Sequence, residues 1–210
     1  MDYGAVQDYL YSLVKERDLL LLEMEDRAKR TQFPIVGPVA GTLLYILTKA
    51  IGAKRVFELG SGYGYSGIWF ARALPPNGEI FLTDYRKELL EDARDYFKRA
   101  GLLEKARFLE GDAFSYFANA EGQFDIVYCD IEKERYPDII EIAHQKLRAG
   151  GFLIADNLLW HGKVMEGAKD SSTRGISRFT RLLHAHPGFE TVIIPIRDGL
   201  SVSLKCSERS

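Results

Sequence analysis

The chain has 210 residues, 46% hydrophobic and 28% charged. That is a globular balance in one domain's length, enough to bury roughly 70% of the unfolded surface without disulfides. Its 28 Lys and Arg against 30 Asp and Glu leave a formal net charge of −2, which excludes a strongly basic nucleic-acid binder but not a local basic patch.

Residues 5–30 read as one helix, because Val6, Leu10, Leu13 and Val14 recur at helical spacing. Pro34 and Pro38 break the pattern, and a second helix over about 39–51 ends at Gly52. Strands and helices then alternate. Strands are expected at 55–59, 79–84, 106–112, 124–130 and 151–157, with helices from Tyr65, over 86–100 and over 136–147. The strand runs are apolar along their length, as strands covered on both faces must be. Such alternation predicts a doubly wound, mostly parallel sheet. The ending differs: 191–196 and 200–205 are separated by Arg197, Asp198 and Gly199, which predicts an antiparallel hairpin. The whole reads as one domain, with N-terminal helices over 1–52 and a sheet core over 53–210. Cys129 and Cys206 match no metal spacing and read as reduced thiols. The acidic start lacks a signal peptide's basic segment, and its longest apolar run, Leu19–Leu22, is far below a membrane span. The expected location is cytoplasmic.

Two constellations carry chemistry. In the first, Glu58-Leu59-Gly60-Ser61-Gly62-Tyr63-Gly64 closes the first strand and opens a helix. Glycines admit a ligand close to the backbone, and a helix N-terminus favours an anionic group. Asp84 ends the next strand, the place for a carboxylate on ribose hydroxyls. Asp112 and Ala113 end the third and could flank an adenine. In the second constellation Asp130 ends the fourth strand, and Asp156 and Asn157 end the fifth. On neighbouring strands these ends lie about 5 Å apart. Two carboxylates and a carboxamide suit a hard cation with open positions; helix N-capping is the alternative use of the same residues. Lys133 is a general base, a charge partner or a solvated surface lysine. The four histidines form no ligand spacing.

The ordered set FELGSGYGYSG, LTDY, EGDA, YCDIEKERY, IADNLLWHG and IPIRDGL resembles the cation-dependent O-methyltransferases, the class of catechol and caffeoyl-coenzyme A O-methyltransferases, over about Pro34 to Lys205. The resemblance implies a Rossmann-like, seven-stranded fold that binds S-adenosylmethionine. It assigns Val36, Glu58, Gly60, Ser66, Asp84 and Ala113 to the cofactor, and Ser61, Gly62, Tyr85, Asp112 and Asp130 are expected beside them. Asp130, Asp156 and Asn157 are assigned to a divalent cation, usually magnesium, and Lys133 to catalysis. It also implies a homodimer. Three positions depart from the pattern: Arg197 stands where many relatives have glycine, Ser201 where catechol enzymes carry a substrate-binding acid, and Glu132 where the animal catechol enzyme has tryptophan.

The expected reaction is methyl transfer to a hydroxyl of a small, catechol-like substrate. The segment 160–175, with Gly162, Gly167 and Gly175, reads as a mobile rim over it. The rival acceptor is a hydroxylated uridine in transfer RNA, because HPGFETVIIPIRDGLSVSLK looks close to relatives that modify it; a basic surface near Arg174, Arg178, Arg181 and Arg197 would favour it. A noncatalytic cofactor-binding scaffold is the second rival. An NAD dehydrogenase is disfavoured by the glycine register and the terminal hairpin.

Overall fold

The computed structural model describes residues 3–15, 17–167 and 170–207. Its strands are β1 (Arg55–Leu59), β2 (Glu79–Asp84), β3 (Ala106–Glu110), β4 (Phe124–Cys129), β5 (Leu147–Ala155), β6 (Phe189–Ile194) and β7 (Leu200–Lys205). They form one sheet in the order β3-β2-β1-β4-β5-β7-β6. The first five run parallel, and β7 runs antiparallel to both β5 and β6. The expected doubly wound sheet with a C-terminal hairpin is therefore present. What the sequence pattern did not show is that β7 inserts between β5 and β6. Ser201 consequently pairs with Ala155, and the hairpin turn lies beside the carboxyl end of β5.

The chain leaves β1 toward β2 and β3, then returns to β4 on the other side of β1. That reversal opens a crevice at the carboxyl ends of β1 and β4, where doubly wound folds bind ligands. Alternate residues of each strand serve opposite layers. Val56, Ile80 and Ile126 face Leu21 and Met24 of α2 (Leu19–Thr31), Leu44 of α3 (Gly37–Ala50), Ile68 and Phe70 of α4 (Tyr65–Ala73) and Phe97 of α5 (Lys87–Arg99). Phe57, Val127 and Leu153 face Phe117 of α6 (Ala113–Asn119), Ile139 and Ala143 of α7 (Ile139–Lys146) and Ile176, Phe179 and Leu183 of α8 (Ser171–Ala185).

Several expected boundaries move, each for a local reason. The helix expected over 5–30 is two: α1 (Tyr3–Ser12) and α2. Asp18 caps α2 by accepting from the Leu21 N–H at 3.1 Å, and Arg17 pairs with the buried Glu25 at 2.9 Å. A Ser, Thr, Asp or Asn cap starts a helix anew, so the apolar periodicity runs across a break. Pro38 lies inside the first turn of α3, where its missing N–H is not needed, rather than ahead of the helix. Helix α6 went unanticipated; the Asp112 carboxylate caps it, accepting from Ser115 N–H at 3.2 Å. Strand β5 begins at Leu147 and ends at Ala155, so Asp156 and Asn157 follow it.

The expected rim over 160–175 also resolves differently, with residues 168 and 169 outside the described ones. Trp160–Met165 forms a short 3₁₀ stretch, and Gly175 belongs to α8. Gly175 is a packing glycine. A Cβ there would lie 2.2 Å from the Lys133 carbonyl oxygen and 2.8 Å from Glu134 Cα. Helix α8 thus holds the 3₁₀ turn Lys133–Asp138 in place through its backbone. Gly175→Ala should therefore destabilise the fold by about 1–3 kcal/mol, the usual cost of overpacking. A lower urea midpoint with an unchanged slope would show this; an unshifted midpoint would mean that the helix moves away freely.

Candidate active site

The crevice is built from strand ends. The Asp130 N–H donates to the Leu59 carbonyl at 2.9 Å, and the Asp156 N–H donates to the Cys129 carbonyl at 3.1 Å. Gly60 lies at φ 83°, and a Cβ on it would stand 2.2 Å from the Asp130 carbonyl oxygen. Its glycine is thus required by the approach of β1 and β4 themselves, and not only by a ligand.

Two cavities flank this contact. One of about 160 Å³ is lined by Val36, Gly60, Ser61, Gly62, Ser66, Asp84 and Asp130, among others. The other, about 360 Å³, is lined by Gly60, Asp84, Tyr85, Ala113 and Asp130 among others. Asp84 is held at the mouth by two backbone donors, Gly62 N–H at 3.1 Å and Arg86 N–H at 2.8 Å. Nine of the eleven expected cofactor residues therefore line these two adjoining cavities, which share Gly60, Asp84 and Asp130. Asp112 lies at their edge, occupied as the α6 cap and by Arg135 at 2.8 Å.

Glu58 is the other exception, because it stands fully buried behind the wall. The Ser66 hydroxyl donates to its Oε1, while Oε2 has no partner. Burial, and then the negative charges of Asp130 and Asp84, push its carboxyl up to about 8. A neutral acid is the form that tolerates such a place. Sequence reasoning missed Tyr128 and Arg86, which also line the first cavity. Tyr128 reads as core in a strand, and only the register at the β4 end turns it toward the crevice.

On the other side of Asp130 lies a cavity of about 1040 Å³, lined by Lys133, Asn157, Leu159, Trp160, Met165 and Arg197 among others. Asp130 is thus the common wall of all three spaces. Lys133 is nearly buried. Its Nζ donates to Asp130 Oδ1 at 2.7 Å and to the Tyr136 hydroxyl at 2.7 Å. It is not the solvated lysine that its charged neighbours suggest. Among the departures, Ser201 is buried in the sheet and accepts from the Ala155 N–H at 3.2 Å, and Glu132 lines the 360 Å³ cavity instead of this one.

The three expected cation ligands do come together at the ends of β4 and β5, yet as arranged they do not fit an added divalent ion. Asp156 is 1% exposed. Its Oδ1 accepts from the Asn157 N–H at 2.8 Å and its Oδ2 from Arg197 Nη1 at 2.7 Å. Asp130 already holds Lys133. Burial and the Asp130 charge push the Asp156 carboxyl above its ordinary range, and Arg197 opposes them. Two carboxylates thus meet two cationic side chains.

A doubly wound sheet with an acid-edged crevice at its switch point is the class of fold that seats a nucleotide-type cofactor beside a second ligand. A family model described as O-methyltransferase matches residues 14–206. The chain is 28% identical to a catechol O-methyltransferase of Niastella koreensis, covering 96% of this chain and 97% of that protein. It is 31% identical to a catechol O-methyltransferase of Mycobacterium tuberculosis over 73% of this chain and 70% of that one. Among solved structures it resembles TomG of Streptomyces achromogenes, an O-methyltransferase involved in tomaymycin synthesis and solved with S-adenosylmethionine. The TM-score is 0.88 at 26% identity, over 99% of this chain and 100% of that one. The chain belongs to this family of S-adenosylmethionine-dependent O-methyltransferases. Among the described residues no helix is long and apolar enough to cross a membrane.

The buried acid has a measurable consequence. The folded carboxyl of Glu58 keeps its proton to about pH 8, whereas its ordinary value is 4.5. Between those values the folded chain binds the extra proton, so stability falls as pH rises. This contribution is complete below 4.5 and is lost through the approach to 8. The melting temperature of Glu58→Gln should gain on the parent as pH rises across that window. A gap between the two that stays constant with pH would mean that Glu58 is ionised in the folded protein.

Proposed function

We propose that this chain transfers the methyl group of S-adenosylmethionine to a hydroxyl oxygen of a small, catechol-like acceptor. The observation that carries the reading is Asp130, which walls the glycine-edged cofactor space on one side and the large Lys133-lined space on the other. Asp84 holds the ribose hydroxyls, and Tyr85, Asp112 and Ala113 border the adenine. Val36, Gly60, Ser61, Gly62 and Ser66 cradle the methionine end. Glu58 supports the wall from behind. When bound, the cofactor supplies a methyl on a sulfonium; the new O–CH₃ bond forms as the S–CH₃ bond breaks, and that electron pair stays on sulfur.

The chain's own part is positioning and proton handling. The cleft holds the acceptor oxygen in line at near-attack distance, which supplies much of the rate. Lys133 passes its own proton to Asp130 across the 2.7 Å contact, and the amine so freed takes the hydroxyl proton. Leu159, Trp160 and Met165 supply an apolar flank suited to an aromatic ring. Magnesium, implied by the resemblance, has no step in this proposal, because its carboxylates already hold Lys133 and Arg197. The proposed unit is a homodimer, supported by the exposed apolar side chains Leu13, Leu19 and Ile46 on and beside the N-terminal helices.

Calorimetry should show binding of S-adenosylmethionine and of its demethylated product, and none of NAD. Asp84→Ala should weaken that binding by about 1.5–3 kcal/mol, as for hydrogen bonds to a charged group. NAD binding, or no heat with S-adenosylmethionine, would sink the cofactor assignment.

Lys133→Ala should lower turnover by about 10²–10⁴-fold, the range for a positioned acid or base, with cofactor affinity held. An unchanged turnover number would remove Lys133 from the chemistry. The acceptor is tested by offering catechol-type phenols and hydroxylated transfer RNA with labelled cofactor. Arg174, Arg178 and Arg181 lie exposed along α8 and give the RNA reading its support. Label in RNA alone would transfer the reaction to that acceptor and leave the chemistry in place.

A further inference from the structure

We infer that Arg197 is the resident cation of this cleft: its guanidinium takes the place at Asp156 where the family pattern has a divalent metal, and the site works without one. Four observations converge on this.

The first is backbone geometry. Arg197 lies at φ 51°, in the left-handed region. A bulky residue rarely stands there, and where one does, the surrounding structure must compensate for the strain. The compensation is visible. The Arg197 N–H donates to Gln7 Oε1 at 3.0 Å, and the Tyr3 hydroxyl donates to the Arg197 carbonyl at 3.0 Å and the Pro195 carbonyl at 2.5 Å. Helix α1, which buries none of its own residues, is tied to this turn.

The second is the partner. Arg197 Nη1 stands 2.7 Å from Asp156 Oδ2. A carboxylate that is 1% exposed either keeps its proton, as Glu58 does, or takes a positive charge, and Asp156 has the guanidinium. Leaving this one to a metal would strand it whenever the metal dissociates. The third is charge. Asp130 and Asp156 are balanced by Lys133 and Arg197. Lys133 belongs to the family pattern, but Arg197 departs from it, and a divalent ion at Asp156 would meet that added guanidinium at short range, where Coulomb repulsion is largest.

The fourth is shape. The Arg197 side chain is 31% exposed and lines the 1040 Å³ cavity. A guanidinium carries five N–H donors in a planar fork that matches two adjacent oxygens. It can therefore do what a metal does for a vicinal diol: hold both oxygens and stabilise the negative charge as the hydroxyl proton leaves. It cannot exchange, and it does not depend on metal supply.

The inference uses the acceptor-site reading above only for this last consequence; its test needs neither cofactor nor acceptor. Manganese(II) is titrated into the full chain and free ion is read by electron paramagnetic resonance. The parent should leave the manganese signal at its buffer value into the millimolar range. Arg197→Gly removes the side chain and relieves the left-handed backbone, and it should bind the ion about tenfold or more tightly than the parent. Adding Asp156→Asn to Arg197→Gly should abolish that gain. Arg197→Asn, whose side chain also tolerates left-handed backbone, repeats the test if the glycine variant fails to fold. Methyl transfer by the parent should survive chelation. Manganese binding by the parent that Asp156→Asn removes would overturn the inference, and so would no gain of binding in Arg197→Gly or Arg197→Asn. A chain that fails to bind S-adenosylmethionine would sink the proposed function and leave this result readable.

Discussion

Everything at the crevice depends on how closely the ends of β1 and β4 approach. Gly60 sits against the Asp130 carbonyl at a distance no side chain permits, and the Asp130 N–H is tied to the Leu59 carbonyl. That approach splits the space above the sheet into two sides and leaves the Asp130 side chain as the partition. A residue larger than glycine at position 60 would push the strand ends apart and merge the spaces. The sheet reversal explains why the crevice exists; this contact explains why it is divided.

Buried charge is the second organising constraint. Three acids of the site, Glu58, Asp156 and Asp130, are each handled differently. Glu58 keeps its proton because it is fully buried and its neighbours Asp130 and Asp84 are negative, which outweighs the Ser66 hydroxyl that donates to it. Asp156 takes a guanidinium. Asp130 takes an ammonium that is itself held by the Tyr136 hydroxyl. The carboxylates at the ends of β4 and β5 are thus paired with held cations, which is the condition for electrostatics to act on a bound ligand without reorganisation.

These groups are held by elements distant from them in sequence. Helix α8 presses on the backbone of Lys133 through Gly175, and the hairpin turn brings Arg197 to the end of β5 with α1 fastened over it. The acceptor side is therefore assembled from α1, β5, the turn after β4 and the β6–β7 turn, four segments distant in sequence.

Much of this was legible beforehand, for physical reasons. Strands β1, β2 and β7 fall where the apolar runs place them, because strands covered on both faces must be apolar and their ends must carry the turn residues. The acids at the ends of β1, β2, β4 and β5 were identifiable because period and punctuation locate strand ends, and strand ends are where this fold gathers its chemistry. The break between α1 and α2 was not, because helical periodicity continues across a cap. Nor was the use of Gly175, since a contact with Lys133 more than forty residues away leaves no local trace. Arg197 shows the division most clearly. Its place in an Arg-Asp-Gly turn between two strands could be read from neighbouring residues. Its bond to Asp156 depends on β7 lying beside β5, and strand order is set by packing between distant segments, to which no local pattern is sensitive.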